Sequence, residues 1–215
     1  SVIVVPIEIY VRNVLSNEWV PSWGNYNGDD SFSSGAIAIR SYAKYHLNNP
    51  ITSTYDICNT TYCQVYDPAN DSGSSQTNLS VINTEEWVLI NSGQSIVKSE
   101  FAAEINDNPT NPSGCNYPYW GECGDGYFQK SVNGPPCNNG DCWPQNGTVD
   151  FVSLGKFDSG SHPRGLSQRG SFRWSSGFDV QPNNIPDDSQ FILPSTYQGI
   201  DYCVKSWQEI IAHYY

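Results

Sequence analysis

Basic residues are scarce in this chain. Lys and Arg together number 10 against 22 Asp and Glu, a formal net charge of −12 over 215 residues. Nucleic acid is excluded as a partner, because neutralising phosphates takes clusters of Lys and Arg that are missing here. No run of about 20 apolar residues occurs, so no segment has the length to span a membrane as a helix. The opening Val2-Ile3-Val4-Val5 is cut short by Pro6 and Glu8. Methionine is absent, which points to a processed or excerpted chain, and no secretion signal is present within it. Charged residues make up only 15% of the chain, yet 38% is hydrophobic and 13% aromatic. That composition is too apolar for disorder. A chain of this length hides most of its apolar surface on folding, and nothing divides it convincingly, so we expect a single domain over 1–215.

Cysteine, by contrast, is plentiful. The seven cysteines indicate an oxidising compartment and an extracellular or cell-surface location. Asn59, Asn70, Asn78 and Asn146 each begin an Asn-x-Ser/Thr site, compatible with a secreted glycoprotein.

Periodicity gives the organisation. Val2 to Ile9 reads as a strand. From Tyr10 the pattern changes, with Val11, Val14, Leu15 and Glu18 on one helical face. A second helix is expected from about Ser34 to Leu47, stopped by Asn48-Asn49-Pro50. Trp87-Val88-Leu89-Ile90 and Ser95-Ile96-Val97-Lys98 flank Asn91-Ser92-Gly93-Gln94, a hairpin pattern. Residues 107–147 are rich in Gly, Pro, Asn and Cys without a period, and read as a stapled surface excursion. At the C-terminus Ser206-x-x-Glu209 fits a capping box, followed by the apolar stripe Trp207, Ile210, Ile211 and Tyr214. Helices near both termini with strands between them predict an α+β fold.

Glu18 is the residue that carries most chemical information. It takes the last slot of a stripe otherwise made of Val11, Val14 and Leu15, with Trp19 and Trp23 close by. A carboxyl in such surroundings is poorly solvated, which raises its pKa and suits a general acid. The competing reading is a slight rotation of the helix that leaves Glu18 at the solvent boundary, as for most carboxylates.

The segment Tyr10-Val11-Arg12-Asn13-Val14-Leu15-Ser16-Asn17-Glu18-Trp19-Val20-Pro21-Ser22-Trp23, followed by Ala36-Ile37-Ala38-Ile39-Arg40-Ser41-Tyr42-Ala43, resembles the opening of the sporulation stage II protein D (SpoIID) family, which includes amidase-enhancer proteins. Further blocks follow in the family's order. Asp56-Ile57-Cys58-Asn59-Thr60-Thr61-Tyr62-Cys63-Gln64-Val65-Tyr66 is similar to "D-x-C-D-T-T-H-C-Q-V-Y". His162-Pro163-Arg164-Gly165-Leu166-Ser167-Gln168-Arg169-Gly170 is similar to "H-G-V-G-M-S-Q-W-G", and the stretch from Trp207 to Tyr215 to "Y-x-x-I-L-x-H-Y-Y". The resemblance implies a SpoIID-like domain with a mostly antiparallel β core. It also implies a lytic transglycosylase that cuts peptidoglycan glycan strands between N-acetylmuramic acid and N-acetylglucosamine, with its single catalytic Glu at Glu18. One carboxyl serving in turn as acid and base needs no partner, whereas an ordinary glycosidase needs a pair. For a hydrolase, Glu100, Glu104 and Asp29 are the candidate second carboxylates.

Supporting roles follow from the same blocks. Arg40 holds a substrate group or carboxylate near the site, or else pairs with an Asp or Glu across a helix face. His162, Ser167 and Gln168 match a loop lining the glycan cleft, where Gly165 and Gly170 allow close backbone approach. Tyr66, Trp19 and Trp23 offer faces for sugars or for the core.

Characterised members hold a zinc ion with the Cys-Thr-Thr-His-Cys segment. Here Tyr62 stands in the place of that His, and His46 is the nearest imidazole in sequence. Two thiolates without imidazoles make a poor zinc site, so we expect no metal and no cofactor, and a Cys58–Cys63 disulfide closing the same loop. Cys115, Cys123, Cys137 and Cys142 allow three pairings, of which neighbour pairing is the simplest. Cys203 is left over, to pair with one of these, stay free, or bridge to another chain. Pro163, Arg164 and Arg169 replace smaller or aromatic family residues. They leave open a domain that binds glycan, or serves structurally, without cutting it.

Overall fold

A computed structural model describes residues 2–70, 73–102, 165–176 and 205–215, with the side chains of Arg173 and His213 outside the description. The excursion at 107–147 therefore lies outside the described residues. So do Glu104, His162, Pro163, Arg164, the Asn146 site, and Cys115, Cys123, Cys137, Cys142 and Cys203. The described residues divide into two units. The first draws on Ser1–Asn25 and Phe32–Glu100, the second on Tyr26–Ser31 and Phe101–Tyr215.

In the first unit, α1 (Ile7–Glu18) begins directly after Pro6. Proline fixes its own φ and takes the cap position without needing an N–H. The strand expected over Val2 to Ile9 is thus corrected: Val2, Ile3 and Val4 are exposed, and the helix starts three residues earlier than the period change suggested. β-branched residues favour a strand only where a neighbouring strand packs on them; instead Ile7, Glu8 and Ile9 join the first turn of α1.

After a 3-10 turn at Pro21–Tyr26, α2 runs from Asp29 to Asn48. Two acids in its first turn suit the positive end of the helix dipole. The core of this unit is Val11, Val14, Leu15, Trp19, Trp23, Phe32, Ile37, Ile39 and Val81. Both tryptophans are buried, so neither offers a face to a sugar. Gly35 makes room for one of them: a Cβ there would stand 2.7 Å from the Trp19 ring and 3.0 Å from Leu15 Cδ1.

The sequence pattern did not reveal α3 (Ser75–Asn83), which is capped by Ser74 accepting from the Thr77 N–H. The expected hairpin is present as an antiparallel bridge between Ile90 and Ile96. Its turn is closed by Gln94 N–H on the Asn91 carbonyl at 2.9 Å. Ser41 on α2 accepts from Leu89 N–H at 2.8 Å, and Ser99 Oγ donates to the Ala38 carbonyl at 2.6 Å, which ties both arms to α2.

The second unit contains β1 (Phe101–Ala102) and β2 (Leu166–Ser167), paired in parallel, followed by α4 (Gln168–Ser176) and α5 (Trp207–Tyr214). The capping box at Ser206 and Glu209 forms as read from the sequence. Asp30, in the first turn of α2, accepts from the Trp207 N–H at 2.9 Å. Burial pushes the Asp30 carboxyl above its usual range, against the lowering effect of that N–H.

Candidate active site around Glu18

Glu18 closes α1 and is half-buried, at the boundary between the apolar stripe and solvent. Its Oε1 accepts from the Val65 N–H at 2.8 Å. That contact belongs to a strap, residues 63–70, laid along the polar side of α1. Tyr10 donates to Gln64 Oε1 at 2.9 Å, and its ring stacks on Tyr66 with centroids 5.5 Å apart and planes 15° from parallel. Burial, then the neighbouring Tyr42 and Glu18, pushes the Tyr10 hydroxyl far above the usual phenol range. Tyr10 therefore stays neutral and remains a donor.

Further along the strap, Asn13 is 2% exposed and works as a double clamp. Its Nδ2 donates to the carbonyls of Asp67 and Asn70 at 2.8 and 2.9 Å, while Oδ1 accepts from the Asp67 N–H at 2.9 Å. Asn70 Nδ2 in turn donates to Asn17 Oδ1 at 2.9 Å. Asn13 is polar but buried because each of its amide atoms finds backbone partners, the condition under which burial of an amide is tolerated. Sequence reasoning missed it: Asn13 sits beside the apolar stripe, and only its long-range partners reveal its role.

Of the residues singled out from the sequence, Tyr66 thus lies on the strap, stacked on Tyr10, and Glu18 meets the same strap from the end of α1 through Val65. Arg40 goes elsewhere. It is fully buried, with Nε and Nη2 on the two carboxylate oxygens of Glu8 at 2.8 and 2.7 Å, and further bonds to the Trp87 and Val81 carbonyls. This is the second of its two expected arrangements, a guanidinium paired with an acid across helices. Glu100 is buried and pairs with Lys98 at 3.0 Å.

In the second unit, Ser167 and Gln168 are buried. Ser167 Oγ accepts from the Gly170 N–H at 2.9 Å and so caps α4. The Gln168 carbonyl accepts from Ser171 Oγ at 2.7 Å, and Ser171 is hydrogen-bonded to Ser31 at 2.6 Å. The close backbone approach that Gly170 permits is to Tyr214, whose hydroxyl would collide with any Cβ there. Gly165 has φ 77°, the left-handed region that favours glycine.

Cys58 and Cys63 form a disulfide with S–S 2.06 Å. Their sulfurs are bonded to each other and supply no thiolate, and Tyr62 is 95% exposed where the resemblance places an imidazole. This donor set does not fit a zinc ion. Among the described residues no helix is long and apolar enough to cross a membrane. Asn59 and Asn70 are exposed, while Asn78 lies within α3.

His46, near the end of α2, is 7% exposed. Its Nδ1 donates to the Asn49 carbonyl at 3.0 Å, and its buried Nε2 has no hydrogen-bond partner among the described residues. The rings of Tyr42 and Tyr45 lie against it, and Lys98, Glu100 and Asp56 act on its charge. Burial, opposed by the Asn49 carbonyl, holds its pKa below the usual 6.5. Because the folded pKa lies below the unfolded one, the stability His46 contributes is complete above about 6.5 and is lost as pH falls toward the folded value. Unfolding free energy measured in urea should therefore decline on acidification below pH 6.5. His46→Phe should flatten that decline; an unchanged slope in the variant would refute the assignment.

A family model described as Stage II sporulation protein, SpoIID, matches residues 1–90. No curated protein and no solved structure matches the chain.

Proposed function

We propose that this chain, whose residues 1–90 belong to the SpoIID family, is an extracellular peptidoglycan lytic transglycosylase with Glu18 as its acid and base. Membership of that family is consistent with a lytic function at the cell wall. The observation that carries the finer reading is the setting of Glu18. It is a half-buried carboxylate ending α1 in the family's matched segment, with one oxygen on a fixed backbone N–H. A carboxyl so held has a defined direction and limited solvation, both of which a general acid requires.

In this reading the protonated Glu18 gives its proton to the glycosidic oxygen between N-acetylmuramic acid and N-acetylglucosamine. The resulting carboxylate then takes the proton of the muramoyl 6-hydroxyl as O6 closes on the anomeric carbon. The bond to the leaving oxygen breaks, the 1,6-anhydro bond forms, and the carboxyl is restored to its protonated state. No water enters the product. Arg40 is left out of the substrate site, because its guanidinium is engaged by Glu8.

The test is the product. Glycan strands stripped of stem peptides, incubated with the protein, should yield fragments ending in 1,6-anhydromuramic acid by mass spectrometry. Reducing muramic ends would mean hydrolysis, and the single-carboxyl mechanism would fail. The net charge of −12 favours a second reading, because an acidic protein is not drawn to an anionic polymer by its overall field. In that reading the chain is a silent glycan-binding or structural glycoprotein, which binds glycan without forming product.

A further inference from the structure

We propose that the Cys58–Cys63 disulfide is the positioning element of the Glu18 carboxylate, closing the turn that fixes the Val65 N–H on Glu18 Oε1; the catalytic half of this inference rests on the function proposed above. The four residues inside the disulfide, Asn59 to Tyr62, are all exposed. Among the described residues, none of these four is packed into the core. The turn is kept by the covalent link, by Cys63 N–H on the Thr60 carbonyl at 2.8 Å, by Cys58 N–H on Cys63 Sγ at 3.2 Å, and by the Thr60 hydroxyl, which accepts from the Tyr62 N–H at 3.4 Å and lies 3.4 Å from Cys58 Sγ.

The chain leaves the disulfide at Cys63 and meets α1 at once. Gln64, 1% exposed, takes the Tyr10 hydroxyl, and the next residue, Val65, gives its N–H to Glu18. Only two peptide bonds separate the half-cystine from that donor residue. On the far side the strap is anchored independently, by the Asn13 clamp on Asp67. The Val65 amide is thus held from two ends, by the Asn13 clamp on one side and on the other by the Gln64–Tyr10 bond with the disulfide immediately before it. Where the family resemblance implies a metal-closed loop, this chain has sulfur bonded to sulfur.

Both cysteines are only half-buried, so a small reductant can reach them. Two thiols of dithiothreitol would reduce the bond to two cysteine thiols while the reagent closes to its own cyclic disulfide. The loosened turn should then release Val65 while Asp67 stays clamped.

The experiment follows amide hydrogen exchange by NMR in the oxidised protein, in the reduced protein, and in a Cys58→Ser/Cys63→Ser variant. The variant isolates this bond from the other cysteines, and the reduced protein guards against a variant that fails to fold. Val65 exchange should accelerate at least tenfold with Asp67 exchange unchanged. On denuded glycan kcat should fall on the order of 10- to 100-fold, the scale of a small misplacement of a reacting group, with KM little altered. Unchanged exchange at Val65 overturns the proposal whatever the activity does. Accelerated exchange with an unchanged lytic rate overturns the catalytic use of the positioning. Accelerated exchange in a protein that releases no product when oxidised supports the positioning and overturns the lytic reading instead.

Discussion

Glu18→Gln is expected to lower the release of anhydro-ended fragments from denuded glycan by a factor on the order of 10²–10⁴, the range associated with loss of a general acid or base. Both chemical steps assigned to this carboxyl need a proton that can leave and return, and an amide offers none. The substitution is also gentle on the fold. Glu18 Oε1 accepts the Val65 N–H, and the carbonyl oxygen of Gln can accept the same bond. Stability should therefore stay within about 1 kcal/mol of the parent, because no cavity, unpaired buried charge or lost bond is introduced. Glu18→Ala is a poorer probe, because it strands the Val65 N–H as well as removing the acid. The reading is refuted if the Gln variant retains more than a tenth of the parent rate at equal folded concentration. Measuring rate and thermal midpoint on one preparation separates chemistry from unfolding.

What the sequence made legible were the elements whose signals are local. The Val11, Val14 and Leu15 stripe named α1, and Ser206 with Glu209 named the start of α5, because a helical face and a capping box are written within a few residues. The Asn91–Gln94 turn was readable for the same reason. Three features were not. α3 has Val81 as its one buried large apolar residue, so its period is faint, and it is fixed by packing on α1 rather than by its own pattern. The first turn of α2, Asp29 and Asp30 before a Ser-rich stretch, reads as loop composition until the helix dipole is considered. Glu8 was hidden inside what read as a strand, and its partner lies 32 positions away. In the candidate site, the carboxylate was visible from its place on the stripe. The strap that orients it was not, because Gln64, Val65 and Asn13 act through contacts more than 45 residues apart. We propose an α+β fold with a mostly antiparallel core for the whole of 1–215.

Glu8→Ala should cost about 3–5 kcal/mol of stability, the toll of leaving a buried charge without its partner. Arg40 has no exposed side-chain surface, whereas Glu8 retains 28%. The two ends of the pair are therefore unequal. With Glu8 removed, a guanidinium remains inside the unit, its fork geometry matched to a carboxylate that is gone. The carbonyls of Trp87 and Val81, at 3.2 and 3.4 Å, solvate it in part and cannot neutralise it. Arg40→Met leaves the opposite residue, a carboxylate that already reaches water, and should cost less, about 1–3 kcal/mol. The double variant Glu8→Leu/Arg40→Met replaces the pair with apolar volume and should recover most of the loss, so the two single costs will exceed the cost of the double. Urea unfolding of the three variants gives the comparison. A Glu8→Ala cost below about 1 kcal/mol, or single costs that simply add, would show that the pair does not lock α1 to α2. Because Glu8 opens α1 and Glu18 closes it, the lock sets the helix that carries the carboxylate without touching its chemistry. At temperatures where Glu8→Ala is still folded, its lytic rate per folded molecule should stay close to that of the parent, and this separates it from Glu18→Gln.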